Sequence, residues 1–489
     1  MLTFLLAVAL LIGGYVVYGA FVEKVFGIDE NRPTPATTMA DGVDFAPIEW
    51  KRIFLIQFLN IAGLGPIFGA ILGALWGPVS LLWIVFGCIF AGAVHDYFSG
   101  MLSLRHKGAS VSELVGFYLG DVAKQVMRVF SVILLVLVGV VFITGPANLL
   151  GRLTPERLTP AVWVWVIIAY YILATMLPID KFIAKIYPVF GLALLFMAVG
   201  IGGAMIWGHL AGTMVIPEMT LANLHPRNLP IWPLMFITIA CGAISGFHAT
   251  QSPMMARCMT NEKYGHRVFY GSMIAEGFIA LIWATIAFTF FGGTPQLQAG
   301  LGQLGAQAGV VHHVSVQLLG ALGGVLAVLG VVACPITSGD TAFRSARLTI
   351  ADVFKINQTP IVNRFAIALP LFAVGYWLTT INFQIVWRYF AWSNQTLAML
   401  MLWAAAVYLK KMGKLHWICT APATFMTAVS ITYILQAPEG FGLATSISYP
   451  VGALAAVLAL AYFMYVKFAP MPIEPGLAAS GPKPPSQLC

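Results

Sequence analysis

His248 closes a glycine-punctuated stretch, Cys241-Gly242-Ala243-Ile244-Ser245-Gly246-Phe247-His248, inside an otherwise apolar segment. The polar residues Thr250, Gln251 and Ser252 follow it. A second stretch of this kind, Ile61-Ala62-Gly63-Leu64-Gly65-Pro66, interrupts another apolar segment. Each interruption falls about 12 to 15 residues into its segment, near mid-bilayer at about 1.5 Å of rise per residue. Backbone that leaves a helix at that depth persists only where protein or a water-filled cavity satisfies it. Half-helices restarting after Pro66 and near Gly246 offer free N–H groups and positive dipole ends, which hold carboxylates without a cationic side chain. The ends before each break offer free carbonyls, which suit a cation. Gly63, Leu64, Gly65, Gly242, Ser245, Gly246, His248 and Gln251 are therefore expected to line a site for an anionic or zwitterionic solute, with Ala62 and Gly65 on its cation side.

Single residues leave alternatives open. A histidine at membrane depth is a functional candidate, and His248 would bind a carboxylate or relay a proton. The competing reading is a packing histidine bonded to a freed carbonyl. Cys334-Pro335-Ile336-Thr337-Ser338-Gly339-Asp340 ends another apolar span. Thr337 and Ser338, facing carbonyls of the first break, would complete an oxygen cage for Na⁺. Asp340, three residues past Thr337, shares its helix face and would carry a proton if its site is partly dry; the alternative is an ion pair with Arg344. Ser393-Asn394-Gln395 lie in the outer third of a span, where Asn394 and Gln395 bond across helices or form an outer gate. His95 and Asp96 read as interfacial, and Glu276 as a helix-packing residue. Consecutive His312 and His313 point about 100° apart on a helix, which is poor metal-ligand geometry, and Lys181 and Lys185 read as anchors of a helix start.

The elements that must position these residues are membrane helices. Of 489 residues, 60% are hydrophobic and only 9% charged, against about 25% charged in soluble domains. Thirteen apolar spans are expected, at 2–22, 53–76, 79–103, 128–147, 161–178, 186–207, 231–251, 270–292, 316–340, 364–380, 388–409, 416–435 and 447–467, each near the roughly 20 residues a bilayer needs. With the N-terminus outside, the outward side receives only Arg152, Arg157, Arg227 and Arg388 of the 26 basic residues. That bias places the C-terminus in the cytoplasm and accounts for the net charge of +8 without nucleic acid. The first span lacks a basic leader region and reads as a retained anchor. Six scattered cysteines with no CxxC pair indicate neither a disulfide framework nor zinc.

Setting the first helix aside, five spans end near 207 and five more near 409, and the broken helix opens each group. Five is odd, so the second group enters the membrane in the opposite sense. The expected layout is an anchor helix and linker over 1–52, a first repeat over 53–207, an inverted repeat over 231–409, two peripheral helices over 416–467 and a disordered tail over 468–489. The fold class is all-α and polytopic, with a 5+5 inverted repeat and two broken helices. Paired breaks of this kind mark a transporter's binding site. The stretch 293–315 is expected to fold over the outer face, where a short helix is one option. An inverted repeat argues against a channel, and the sequence carries no zinc signature, nucleophile elbow or phosphate loop that an enzyme reading would need.

Several of these stretches together resemble the carbon starvation protein A (CstA) family. The matching pieces are Ala62-Gly63-Leu64-Gly65-Pro66, Ala91-Gly92-Ala93-Val94-His95-Asp96-Tyr97-Phe98, the long run Phe236 to His248, Pro335-Ile336-Thr337-Ser338-Gly339-Asp340 with Arg344 and Arg347, and Trp392-Ser393-Asn394-Gln395. The resemblance implies a LeuT-like inverted-repeat fold and nutrient uptake across the inner membrane. The family is described as peptide transporters, and some members look like proton-coupled pyruvate importers. By analogy with that fold, the first break with Thr337 and Ser338 matches a sodium position. No cofactor is implied beyond a coupling H⁺ or Na⁺. The implied partners are the bilayer and a small carboxylate or short peptide, while the oligomeric state stays open. The chain departs from the family in Gly69-Ala70, where others often carry Gly-Pro, and in Ala-Thr-Gln-Ser-Pro-Met-Met after His248.

Overall fold

The computed structural model describes residues 1–41, 45–176, 180–358 and 360–468. The side chains of 176–188 and of Thr337 lie outside the described residues, so Lys181, Lys185 and the Thr337 hydroxyl have no described position; the expected tail beyond 468 lies outside them too. Helices make up nearly all of the rest, as they must where no water can satisfy the backbone. The long ones are α1 (Leu2–Phe26), α2 (Trp50–Ile61), α3 (Gly65–Trp76), α4 (Val79–Arg105), α5 (Asp121–Leu153), α6 (Pro160–Met176), α7 (Asp180–Leu210), α8 (residues 231–238), α9 (Gly246–Ala256), α10 (Glu262–Phe291), α11 (Thr294–Gln303), α12 (Ala306–Phe354), α13 (Ile361–Thr379), α14 (Phe383–Lys411), α15 (Trp417–Gln436) and α16 (Thr445–Tyr465).

Among the described residues nine helices are long and apolar enough to cross a membrane, ten if α2 and α3 count as one span bent by 48°. The chain is thus an all-helical polytopic membrane protein. The expected thirteen spans all fall on helical segments within the described residues, but four do not pass as straight apolar spans, the bent 53–76 among them. Span 231–251 is split by non-helical residues 239–245. Helix α6 is too short, and α14 carries Arg388, Asn394 and Gln395 among its apolar residues.

The expected ninth span needs a correction. It is the middle of a helical run, Ala306–Phe354, bent where Gly320 takes φ 64° and ψ −150°. That conformation suits glycine, which has no Cβ to clash. The preceding stretch holds α11 and the first arm of α12, so 293–315 contains more helix than its glycine and glutamine content suggested. His313 sits on that arm, its ring edge-on to Phe290.

Both breaks are present and they touch. A Cβ on Gly65 would stand 2.4 Å from the Cβ and Sγ of Cys241. Gly69 lies against the Thr238 carbonyl and Gly73 against Ile239. Glycine in α3 therefore lets two irregular segments meet at backbone distance, the small-residue contact that membrane helices use in place of a hydrophobic drive. Around this centre α9 packs on α2, α4 and α14, and α10 packs on α3 and α4.

Candidate functional site

The first break is short. Ala62 and Gly63 leave the helix, the Gly63 N–H donates to Ile61 O at 2.9 Å, and α3 restarts at Gly65 with Pro66 in its first turn. Proline fits there because that N–H has no helical partner. Phe142 of α5 covers this break: a Cβ on Gly63 would lie 3.1 Å from Phe142 Cζ, and one on Gly339 would lie 3.1 Å from Phe142 Cβ. The same aromatic side chain thus touches the first break and the segment that carries Ser338. Ser338 is buried.

The second break is longer and partly closed on itself. The N–H groups of Ala243 and Ile244 donate to Ala240 O at 3.1 and 2.8 Å. Ser245 precedes α9, and the start of α9 is capped from another helix. Asn394 Oδ1 accepts from the Phe247 N–H at 2.7 Å and from Ser245 Oγ at 3.1 Å, while its Nδ2 donates to Cys241 Sγ at 3.2 Å. Gln395 Nε2 donates to Phe236 O at 2.5 Å. Of the two readings open for this pair, both amides take the cross-helix one, tying α14 to α8, the break and α9. Gln251 is buried, and its Nε2 donates to Thr250 Oγ1 at 2.9 Å.

His248, in the first turn of α9, hydrogen-bonds one carboxylate, Asp96, rather than a carbonyl, and approaches a second, Glu276. Its Nδ1 lies 2.8 Å from Asp96 Oδ2, and its Nε2 lies 3.2 Å from Glu276 Oε2. Asp96 Oδ1 is also 2.8 Å from His95 Nδ1. All four residues are fully buried. Helix α4 supplies His95 and Asp96, and α10 supplies Glu276. Close helix approach makes the cluster possible: a Cβ on Gly92 would stand 2.2 Å from the Ala243 carbonyl oxygen, and one on Gly277 would stand 2.6 Å from Cys88 Sγ. Wide π turns over Trp83–Gly92 lead directly into His95 and Asp96, a geometry that collects at functional sites. Reading these residues one at a time missed the cluster. The available signal was simply that Asp96 and Glu276 are ionisable residues inside apolar spans.

Asp340 is buried and accepts a hydrogen bond from Arg344 Nη2 at 3.3 Å, one helical turn on. The ion-pair alternative is therefore the arrangement observed.

The two ends of the bundle differ. At one end a cavity of about 670 Å³ is lined by residues that include Leu72, Trp76, His225, Arg227, Thr238, Gln298, Asn382, Trp387 and Arg388. Arg227 is exposed, and Arg388 pairs with Glu439 at 2.6 Å. His225 is buried, and its imidazole pKa is pushed down to about 4, by burial first and then by Arg227. At the other end Glu262, only 1% exposed, takes Arg105 Nε at 3.0 Å and Nη2 at 2.9 Å, and it accepts the Asp29 N–H at 2.8 Å. Arg105 also donates to Tyr408 Oη and Gly27 O, both at 2.7 Å, and lies 3.9 Å over the Phe26 ring. Lys414 bonds Phe26 O. Helices α4, α10 and α14 each run from the cavity end to this ion-pair lock.

Comparison with known proteins agrees with this architecture. The family model for carbon starvation protein CstA matches residues 1–156 and 153–318. An uncharacterized membrane protein of Haemophilus influenzae is 46% identical over 346 residues, covering 61% of this chain and 93% of its own length. The peptide transporter CstA of Campylobacter jejuni is 27% identical, covering 91% of this chain and 81% of its own. The pyruvate/proton symporter BtsT of Escherichia coli is 28% identical, covering 56% of this chain and 47% of its own. Among solved structures, inward-facing Mhp1 matches 86% of this chain and 92% of its own at a TM-score of 0.50 and 15% identity. A Na⁺-coupled sialic acid symporter, substrate-bound and outward-open, matches 96% and 98% at 0.50 and 14%.

Proposed function

The chain belongs to the carbon starvation protein CstA family, and we propose that it is a cation-coupled importer of a small carboxylate such as pyruvate, or of a short peptide, working by alternating access. The coarse class needs no proposal: this is a secondary transporter and not an enzyme. What carries the finer reading is the direct contact of the two helix breaks at Gly65 and Cys241, below a cavity that holds Arg227 and Arg388. Arg227, exposed at the cavity, raises the local concentration of anions, while Arg388 is balanced by Glu439, and interrupted helices supply backbone groups for substrate and ion at one place. Residues 53–207 and 231–409 act as the two inverted halves that rock around this centre. The positive-inside bias places the cavity outside and the Arg105–Glu262 lock inside, so this conformation faces outward. Gly63 to Gly65, Gly242 to Gly246 and Gln251 form the substrate region, with Asn394 holding the second break in shape.

Relatives named as peptide transporters keep a short peptide as the second substrate class. The deciding experiment is uptake of labelled pyruvate into proteoliposomes under an inward proton gradient without sodium, with and without a competing dipeptide. Accumulation that an uncoupler abolishes and the dipeptide spares supports the monocarboxylate reading. Uptake of the dipeptide alone replaces it with the peptide one. Absence of gradient-driven uptake of either, with or without sodium, overturns the proposal.

A further inference from the structure

Bonding in the buried cluster fixes where its protons sit. Asp96 is flanked by His95 Nδ1 and His248 Nδ1, both 2.8 Å away. A carboxylate only accepts, so each Nδ1 carries hydrogen. His248 Nε2 then faces Glu276 Oε2 at 3.2 Å. With no further proton, these two atoms would be acceptors facing each other. A proton on either the imidazole or the carboxyl turns that repulsion into attraction, and the 3.2 Å approach favours a protonated pair. Neither oxygen of Glu276, nor Nε2 of His248 or of His95, makes a hydrogen bond among the described residues, so the 3.2 Å approach of His248 to Glu276 is a close ion-pair contact without hydrogen-bond alignment. The other titratable groups facing the cluster are the buried thiols of Cys88 on α4 and Cys241 in the second break. From α2 and α14 the neighbouring polar groups are the uncharged amides of Gln57 and Asn394.

We propose that the His248–Glu276 pair, held by Asp96 and His95, is the proton-binding site that couples this transporter. The proposal rests on the reading that the chain moves its substrate with a cation, and it identifies that cation as H⁺ and its seat as the cluster rather than Asp340. Asp340 already has the Arg344 guanidinium beside it at 3.3 Å, which balances its carboxylate. Among the described residues the cluster has no lysine or arginine paired with it. Releasing its proton leaves the Asp96 and Glu276 carboxylates on either side of one neutral imidazole, in a site closed to solvent at all four residues. Uncompensated buried charge costs several kcal/mol per ion, so release requires a conformation that admits water. The step is a simple ionisation: the N–H or O–H bond breaks, its electron pair stays on the cluster and the proton passes to water. His248 lies in the first turn after the second break, and the Ala243 carbonyl of that break rests on Gly92, three residues before His95. Any shift of the break therefore moves both sides of the proton site, which links substrate occupancy to protonation.

The test uses the full chain in lipid nanodiscs and pH-difference infrared spectra, with Glu276→Gln as the main variant. A glutamine amide donates to neutral His248 Nε2 and so imitates the protonated pair without titrating. The expected result is a carboxyl or imidazolium band that titrates in the wild type, disappears in Glu276→Gln and returns with a shifted midpoint in Glu276→Asp. In proteoliposomes Glu276→Gln is expected to keep substrate exchange at a pH-independent rate while losing gradient-driven accumulation at least tenfold. His248→Gln provides a second variant should Glu276→Gln fail to fold. A wild-type spectrum with no titrating band that these variants remove, or Glu276→Gln accumulating substrate as wild type does, overturns the proposal. Because the spectra need no substrate, a titrating cluster in a protein that accumulates neither pyruvate nor peptide leaves the proton site standing and removes the transport reading instead.

Discussion

Replacing Glu262 by glutamine tests whether the Arg105 lock holds this conformation. The carboxylate is almost fully buried, and Arg105 is 10% exposed, so solvent screens the pair little. Glutamine keeps the shape and one oxygen that accepts from the Asp29 N–H and Arg105 Nη2, but Arg105 loses the bond from its Nε and its charged partner, keeping the uncharged acceptors Tyr408 Oη and Gly27 O. Removing one partner of a buried pair costs about 3–5 kcal/mol. If the pair exists only in the outward-facing state, even about 3 kcal/mol shifts the equilibrium toward the opposite state by roughly 100-fold, at about 1.4 kcal/mol per factor of ten. Cys258, buried four residues before Glu262, reports on that end. In a Cys489→Ser background, alkylation of Cys258 is expected to accelerate by up to that factor in Glu262→Gln. Uptake should fall, because the outward state that loads substrate is depopulated. A folded Glu262→Gln protein whose Cys258 reacts at the wild-type rate would refute the lock.

Two further outcomes follow from the geometry. Gly65→Ala drives a methyl to 2.4 Å from Cys241 and is expected to cost about 1–3 kcal/mol by overpacking, read as a lower melting temperature with lost uptake; Cys241→Gly in the same chain should recover part of both. His225 has a folded-state pKa of about 4, below the usual 6.5, through burial and then Arg227. Its neutral form is the one the fold accepts, so its contribution to stability is complete above about pH 6.5 and is lost as pH falls from there through about 4. Melting temperature should drop over that window and drop less in His225→Gln, and equal slopes in the two proteins would contradict it.

The membrane class, the helix positions and both breaks were legible in the chain itself. Apolar length, the polar gaps and the pairs of glycines are local properties, and the bilayer turns each into a structural requirement without help from distant residues. The same holds for Gly246 and Ser245 at the start of α9. For Asn394 and Gln395 the sequence left cross-helix bonding and an outer gate both open, because an amide pairs equally well with any freed carbonyl or N–H within reach. The bend at Gly320 was not legible either, since glycine in an apolar helix serves packing as readily as a turn.

The proton cluster was decided only by tertiary structure. His95 and Asp96 are about 150 residues from His248 and about 180 from Glu276 in sequence, and nothing local to any of them distinguishes an interfacial or packing residue from a member of a buried network. Their juxtaposition depends on Gly92 meeting Ala243 and Gly277 meeting Cys88, contacts between helices whose approach the sequence does not encode by pattern. The lock has the same origin: Arg105, Glu262 and Tyr408 are unremarkable helix-end residues until α4, α10 and α14 bring their ends together. Sequence determined that irregular backbone would sit inside a membrane, because hydrogen-bond satisfaction is enforced residue by residue. Structure alone decided which charges meet there, because that depends on how whole helices pack.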